Sequence, residues 1–455
     1  MPSPNLVFLF ADQMRAQATG YAGDPNVRTP YLDTLADQSL NFINATSTCP
    51  ICTPYRACLL TGQYPLTHGL FMNDLCLPDN GHSLGQELRR GGYDTGWIGK
   101  WHLDGHGRSN PIPPERRQGF DHWQALESAE DWNHSQYYQG NEPTPRIWDG
   151  YDAYAQAQAC VDYIEGREDA DRPFALFLSF NTPHDPYDAA PADLKALYPV
   201  EALTVRENVA PHRQDMARKQ LRGYYAHITA IDRCIERIDA ALARAGLQDD
   251  TILVFTSDHG DMIESHWHRA TPGRGPRKQC PYDESVLVPL LLRYPARYGR
   301  TGRAVIEPIG SADLMPTLLG LCGLETPLTV EGMDFGPVVD GVSRPDRQGV
   351  LIANYHPFAD WRTAQGGRPY RGLRTRRHTF VRDRNGPWLL FDNEADPLQL
   401  HNRVNTSDVA DVQRRLDAEL ADLLRRQGDA FEAPEALRHR WGYRINDRES
   451  IPYTW

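Results

Sequence analysis

Four short apolar runs, each ending in a knot of polar residues of catalytic type, constrain this chain more than any other feature. Asn5-Leu-Val-Phe-Leu-Phe10 runs into Asp12 and Gln13, and Tyr93 to Ile98 into Gly99, Lys100, Trp101 and His102. Residues 173–180 lead to Asn181, His184, Asp185 and Tyr187, and residues 251–255 to Ser257, Asp258, His259, Gly260 and Asp261. Unbroken apolar runs of this length fit strands buried on both faces, as in a mostly parallel sheet. Helical spacing fills the gaps, over residues 29–39, over 83–90, and over 214–245 with Leu221, Tyr224, Tyr225, Ile228, Ile231, Ile235, Ile238 and Leu242 on one side. The alternation predicts an α/β fold with a doubly wound, mostly parallel sheet. Ligands of such sheets sit beyond the carboxyl ends of the strands, which brings all four knots to one rim.

After about residue 345 the texture changes. An Arg-rich stretch from Tyr370 to Asp383 is followed by Trp388-Leu-Leu-Phe391 and an amphipathic pattern from Val409 to Arg426. This predicts a smaller C-terminal α+β subdomain, residues 346–455, completing the substrate cleft of a catalytic domain over 1–345. The formal net charge of -12 argues against nucleic acid as a partner held by bulk charge. An anionic substrate then needs a local cluster of cations. No apolar run approaches the roughly 20 residues that span a bilayer. The segment Met1 to Phe10 lacks a basic start and a cleavage-like site, so a cytoplasmic location is the expectation. Eight cysteines are too few and too uneven for a disulfide framework, yet Cys49, Cys52 and Cys58 crowd into ten residues.

That crowded segment reads Cys52-Thr-Pro-Tyr-Arg56 and continues to Leu60-Thr-Gly62. The spacing resembles the signature of the type I, formylglycine-dependent sulfatases, a branch of the alkaline phosphatase superfamily. The likeness runs from Asn5 to about Asn402 and includes motifs at Pro30, Gly99, Asp258 and Leu390; Tyr55 departs from the usual Ser or Ala. The resemblance implies hydrolysis of sulfate monoesters through formylglycine, made from Cys52 by a formylglycine-generating enzyme. A hydrated aldehyde offers two hydroxyls on one carbon: one attacks sulfur, and the other, once deprotonated, collapses and expels sulfate. It further implies a divalent ion, calcium before manganese, held by Asp12, Gln13, residue 52, Asp258 and His259. Arg56, Lys100 and Lys278 match positions that stabilise sulfuryl charge, Arg56 also steadying the hydrate, and Asn73 adds a hydrogen bond to substrate. His102 fits the group that takes the proton when the second hydroxyl collapses. His184, with Lys278, fits the general acid toward the leaving oxygen.

Two other readings stand beside this one. Asp12-Gln13, Asp258-His259 and Cys49-Pro-Ile-Cys52 also resemble phosphonate monoester or phosphodiester hydrolases, although Lys100 and His102 follow the sulfatase pattern. A non-catalytic zinc or redox protein would instead use Cys49, Cys52 and Cys58. The leaving group falls to the loops from Asp104 to Tyr154 and to the Arg-rich stretch, with a sulfated sugar favoured over an aryl or alkyl sulfate. Arg371, Arg374, Arg376 and Arg377 read as a solvated face or an anion-binding one. Trp132, Tyr137 and Tyr138 read as a sugar-stacking mouth or as local packing.

Overall fold

The computed structural model describes residues 3–167, 172–267 and 274–453. The four apolar runs form strands Asn5–Asp12, Asp94–Lys100, Phe174–Pro183 and Thr251–Ser257, which lie side by side in a ten-stranded sheet. Asn5–Asp12 is parallel to both Phe174–Pro183 and Thr251–Ser257, and Phe174–Pro183 is parallel to Asp94–Lys100. The register sets Phe10 opposite both Ser179 and Thr256, and Gly99 opposite Ser179, so the carboxyl ends finish at one level. His122–Leu126 extends the parallel set on one side.

Parallel order is broken on both sides of this central set. Leu290–Arg293 runs antiparallel to Thr251–Ser257 and to Leu40–Phe42, and Gln136–Gln139 antiparallel to His122–Leu126. The sheet is therefore mixed, with five parallel strands at its centre. Leu290–Arg293 is buried throughout, as a parallel strand would be, although it runs antiparallel to both neighbours.

Alternation along Asn5–Asp12 feeds two apolar layers. Leu6, Phe8 and Phe10 face the layer holding helix Cys52–Thr61 and helix Leu84–Arg90. Val7, Leu9 and Ala11 face the layer holding helix Asp152–Glu165 and the long helix Gln214–Arg244. The long helix places its apolar stripe, Leu221 through Leu242, on the sheet. A four-stranded antiparallel sheet, Gly349–Asn354, Tyr370–Thr375, His378–Asp383 and Gly386–Asp392, follows, with helix Ala410–Arg426 against it. Its Leu351, Leu373, Phe380 and Leu390 and the helix's Leu416 and Leu420 belong to the same apolar cluster as Leu6 and Phe8. Residue 345 thus separates two sheets but not two cores. No helix among the described residues is long and apolar enough to cross a membrane.

One glycine sets the approach of two central strands. Gly99 has φ +91°, and a Cβ there would lie 2.1 Å from the backbone oxygen of Ser179 on the paired strand. Backbone cannot retreat as a flexible side chain can. Gly99→Ala is expected to cost about 3 kcal/mol or more, read as a lower denaturant midpoint with an unchanged slope. An unaltered midpoint would show that the strands can part at this position.

Candidate active site

The rim at the carboxyl ends gathers the polar knots. Asp12 ends its strand, Lys100 ends its own, Asp258 follows Ser257, and His184 follows Pro183. Opposite them, Cys52 opens helix Cys52–Thr61, all ten residues of which are buried. Pro54 falls in the first turn, where its missing N–H is no loss, and Gly62 closes the helix in the left-handed region. The helix has no cap from its own N-terminal neighbour. Asn73 supplies it, its Oδ1 accepting from the Thr53 amide at 3.0 Å. One end of the Asn73 amide therefore caps helix Cys52–Thr61.

Asp12, Cys52, Asp258 and His259, all buried, bring one ligand atom each to within 4.8 Å of one another. His259 Nε2 lies 3.2 Å from Cys52 Sγ, and Asp12 Oδ1 lies 3.7 Å from it. His259 Nδ1 faces the Gly260 carbonyl at 3.0 Å, the arrangement that leaves Nε2 as the ligand atom. Burial acts to lower the His259 pKa, but Asp258 and the Cys52 sulfur outweigh it and raise it above the ordinary value. Asp258 is pushed up to about 6 by burial and by Asp12. Both shifts describe anions crowded together, the condition a cation relieves. Gln13 fits the same group differently. Its Nε2 donates to Asp261 at 2.7 Å, leaving Oε1 buried without a hydrogen-bond partner among the described residues. Asp261 also accepts from Tyr187 and from the Ile263 amide. These donors fit a hard divalent ion with one nitrogen ligand.

Cations close the site from the other side. Lys100 Nζ donates to Asp12 Oδ2 at 2.7 Å, and Arg56 reaches Asp12 at 3.3 Å and Asp258 at 3.4 Å. The other Arg56 amino group is fixed by the Lys100 carbonyl at 2.9 Å and Ser179 Oγ at 2.7 Å, and its guanidinium stands over the Phe10 ring. Burial and the Cys52 sulfur act to raise Asp12, yet its cationic neighbours, Lys100 first, prevail and lower it to about 2. Lys278 Nζ sits 3.4 Å from Cys52 Sγ and 3.1 Å from His184 Nε2. Burial would raise the Cys52 thiol, but Lys100, Lys278 and His259 hold it well below its ordinary value. The site therefore favours the anionic form of the Cys52 thiol.

His102 approaches from its own strand end, with φ +57° in the left-handed region and with Trp101 clamped among Trp97, Phe120 and Trp123 beneath it. Its Nε2 faces Asp74 Oδ1 at 3.3 Å, and its Nδ1 is buried without a hydrogen-bond partner among the described residues. Arg108 grips Asp74 at 2.9 and 3.1 Å and lies against the face of the Tyr453 ring, its Cζ 3.7 Å from the centroid. Burial acts to raise Asp74, but His102 and Arg108 lower it to about 2. An ionised Asp74 accepts a hydrogen bond from the Nε2–H and leaves the Nδ1 lone pair as an acceptor. Asp74→Asn is expected to lower kcat about 10- to 100-fold with little change in KM. An unchanged kcat and an unchanged acid limb of the pH profile would remove Asp74 from this role.

His184 Nδ1 faces the Asp185 carbonyl at 2.8 Å, and Trp132 Nε1 donates to the His184 carbonyl at 3.0 Å. Burial and Lys278 lower His184 well below its ordinary value, so it is held neutral. Its Nε2 is then the acceptor for the Lys278 ammonium.

Every expected site residue stands at or beside this rim. Sequence reasoning missed Asp74, Asp261, Ser179 and Asp185 as partners. Asp261 and Asp185 lie inside quoted motifs and Asp74 adjoins Asn73, but only the fold shows what each one holds. Cys49 and Cys58 take no part in the metal-like cluster, and all eight cysteines are free. The Arg-rich stretch divides. Arg371 is buried against Asp429 and the Asn354 carbonyl, and Arg374 against Asp283 at 2.9 and 3.0 Å, so neither belongs to a solvated face. Tyr137 stacks on Trp148 and Tyr138 donates to the Ser109 carbonyl, while Trp132 alone of the expected aromatic mouth touches His184.

Residues 4–324 match the sulfatase family, and residues 277–426 the C-terminal region of N-sulphoglucosamine sulphohydrolase. An ulvan-active sulfatase of Formosa agariphila is 40% identical, over 99% of this chain and 87% of the relative. An endo-4-O-sulfatase of Bacteroides thetaiotaomicron is 30% identical, over 97% and 95%. Among solved structures, the phosphonate monoester hydrolase of Agrobacterium radiobacter shares the fold at TM-score 0.73 and 23% identity, over 93% and 96% of the two chains. A Bacteroides fragilis chain named as a sulfatase superposes with TM-score 0.82 at 32% identity, covering 95% and 97%. With a cation-lined cysteine and a carboxylate–histidine cluster at one rim, the chain belongs to the sulfatase family, the sulfuric ester hydrolases.

Proposed function

We propose that this enzyme removes sulfate from a sulfated carbohydrate, using formylglycine made from Cys52 by a formylglycine-generating enzyme. The observation that carries the reading is the setting of Cys52, between Lys278 at 3.4 Å and His259 at 3.2 Å within a buried ring of cations. The Cys52 sulfur stands where an oxygen of the modified side chain would lie. Asp12, Asp258, His259 and Gln13 Oε1 would hold a divalent ion there, calcium before manganese, which supplies Lewis-acid polarisation of a sulfate oxygen. Arg56 and Lys100 balance the carboxylates so that the sulfuryl group meets net positive charge. His102 Nδ1 accepts a proton from residue 52, with Asp74 fixing its tautomer. Lys278 carries the proton that His184 Nε2 orients toward the leaving oxygen. Residues 1–345 provide this machinery, and residues 346–455 buttress it.

Two measurements test the reading. Protein from its native source should be about 18 Da lighter than the unmodified chain, the mass change from cysteine to formylglycine. Its kcat/KM for an aryl sulfate should exceed that for an aryl phosphonate monoester, and the reverse order would favour the phosphonate hydrolase reading. A panel of sulfated saccharides, headed by ulvan fragments because of the 40% identical relative, then identifies the alcohol.

A further inference from the structure

The part of the Arg-rich stretch that does not turn inward lines a groove of ≈ 930 Å³ containing none of the active-site residues. Its walls come from residues 306–308 at the edge of the main sheet, the crossing segment 344–348, the turn 375–378 of the small sheet and helix Ala410–Arg426. Six arginines line it: Arg344, Arg347, Arg376, Arg377, Arg403 and Arg415. Three are neutralised in place, Arg347 by Asp313, Arg377 by Asp392 and Arg403 by Asp408. Arg344, Arg376 and Arg415 are exposed, and among the described residues none has a carboxylate within ion-pair distance. Glu307 is the remaining acidic side chain of the lining. Val412 and Leu416 give the groove an apolar floor.

Three uncompensated guanidiniums in one concavity are unexpected on a chain of net charge -12. Guanidinium forks match the oxygen geometry of sulfate, and an apolar floor suits the C–H face of a sugar ring. We propose that this groove is a second, non-catalytic binding site for the sulfate groups of a polymeric sulfated carbohydrate, gripping the chain while another sulfate enters the active site. The proposal rests on the carbohydrate-sulfatase reading above but is read out without turnover.

The test uses full-length Cys52→Ala protein, which binds without cleaving, and dextran sulfate as the probe. Binding is compared with that of the same protein carrying Arg344→Ala, Arg376→Ala and Arg415→Ala. The triple variant should bind about tenfold or more weakly, and its salt dependence should flatten by about two ion equivalents. With Cys52 retained, the three changes should leave kcat/KM on a small aryl sulfate unaltered. A single charge reversal, Arg376→Glu, should weaken binding in the same direction without touching the core. Equal affinity and equal salt slope in the triple variant would overturn the proposal. So would equal binding of unsulfated dextran, or tighter groove-dependent binding of single-stranded DNA. Loss of aryl sulfate turnover in the unaltered enzyme would instead strike at the catalytic reading.

Discussion

Cys52→Ser protein is expected to complete about one turnover per active site and then stop. Serine can offer one hydroxyl to the sulfuryl group, in the same field of Lys100, Lys278 and His259 that depresses the Cys52 thiol. It has no second hydroxyl on that carbon, so the sulfated side chain cannot collapse to an aldehyde. Steady-state rates should fall by at least about 10³-fold, with a burst of alcohol near one equivalent and a mass gain of ~80 Da. Cys52→Ala should give neither burst nor adduct. Sustained turnover by the serine protein within tenfold of the parent would end the formylglycine account.

Arg56→Ala should damage stability and rate together. The guanidinium is fully buried and serves Asp12, Asp258, Ser179 and the Lys100 carbonyl at once. Without it, two buried carboxylates lose a shared partner, and unpaired buried charge costs about 3–5 kcal/mol. Because a divalent ion would offset part of that cost, the loss should be larger in chelator than in calcium. Activity should fall by about 10³-fold, since the carboxylates then compete with the sulfuryl group for the remaining cations. Arg56→Lys should rescue little, because one ammonium cannot span four acceptors in a plane. Equal melting curves for Arg56→Ala and the parent, with and without chelator, would show that the pairing contributes nothing.

How much of this was readable beforehand follows from what each residue depends on. Asp12, Lys100, Asp258 and His184 were legible because strand ends are marked locally, by an apolar run meeting a polar residue. The antiparallel direction of Leu290–Arg293 was not, since that run carries no local mark of direction. The Asp74–His102 contact was hidden for a different reason. It joins two loops whose meeting depends on where helix Cys52–Thr61 docks, and Asn73 and Asp74 look alike in a string of letters. Arg371 and Arg374 looked like surface charge because their partners, Asp429 and Asp283, lie 58 and 91 positions away. Gln13 was legible as a candidate ligand, but the direction of its Oε1 is fixed by Asp261, 248 positions on.

The shared apolar cluster beneath both sheets has a consequence for how the protein comes apart. Leu351, Phe380 and Leu416 share one apolar cluster with Leu6, Phe8 and with Leu59 and Leu60 of helix Cys52–Thr61, so removing them would expose part of that cluster. Cutting the chain near residue 345 would therefore yield no lighter catalyst, only a polypeptide with an open hydrophobic wound. Heating the intact protein should melt it in one calorimetric step, and swapping this tail between paralogues would require recutting the seam on both sides.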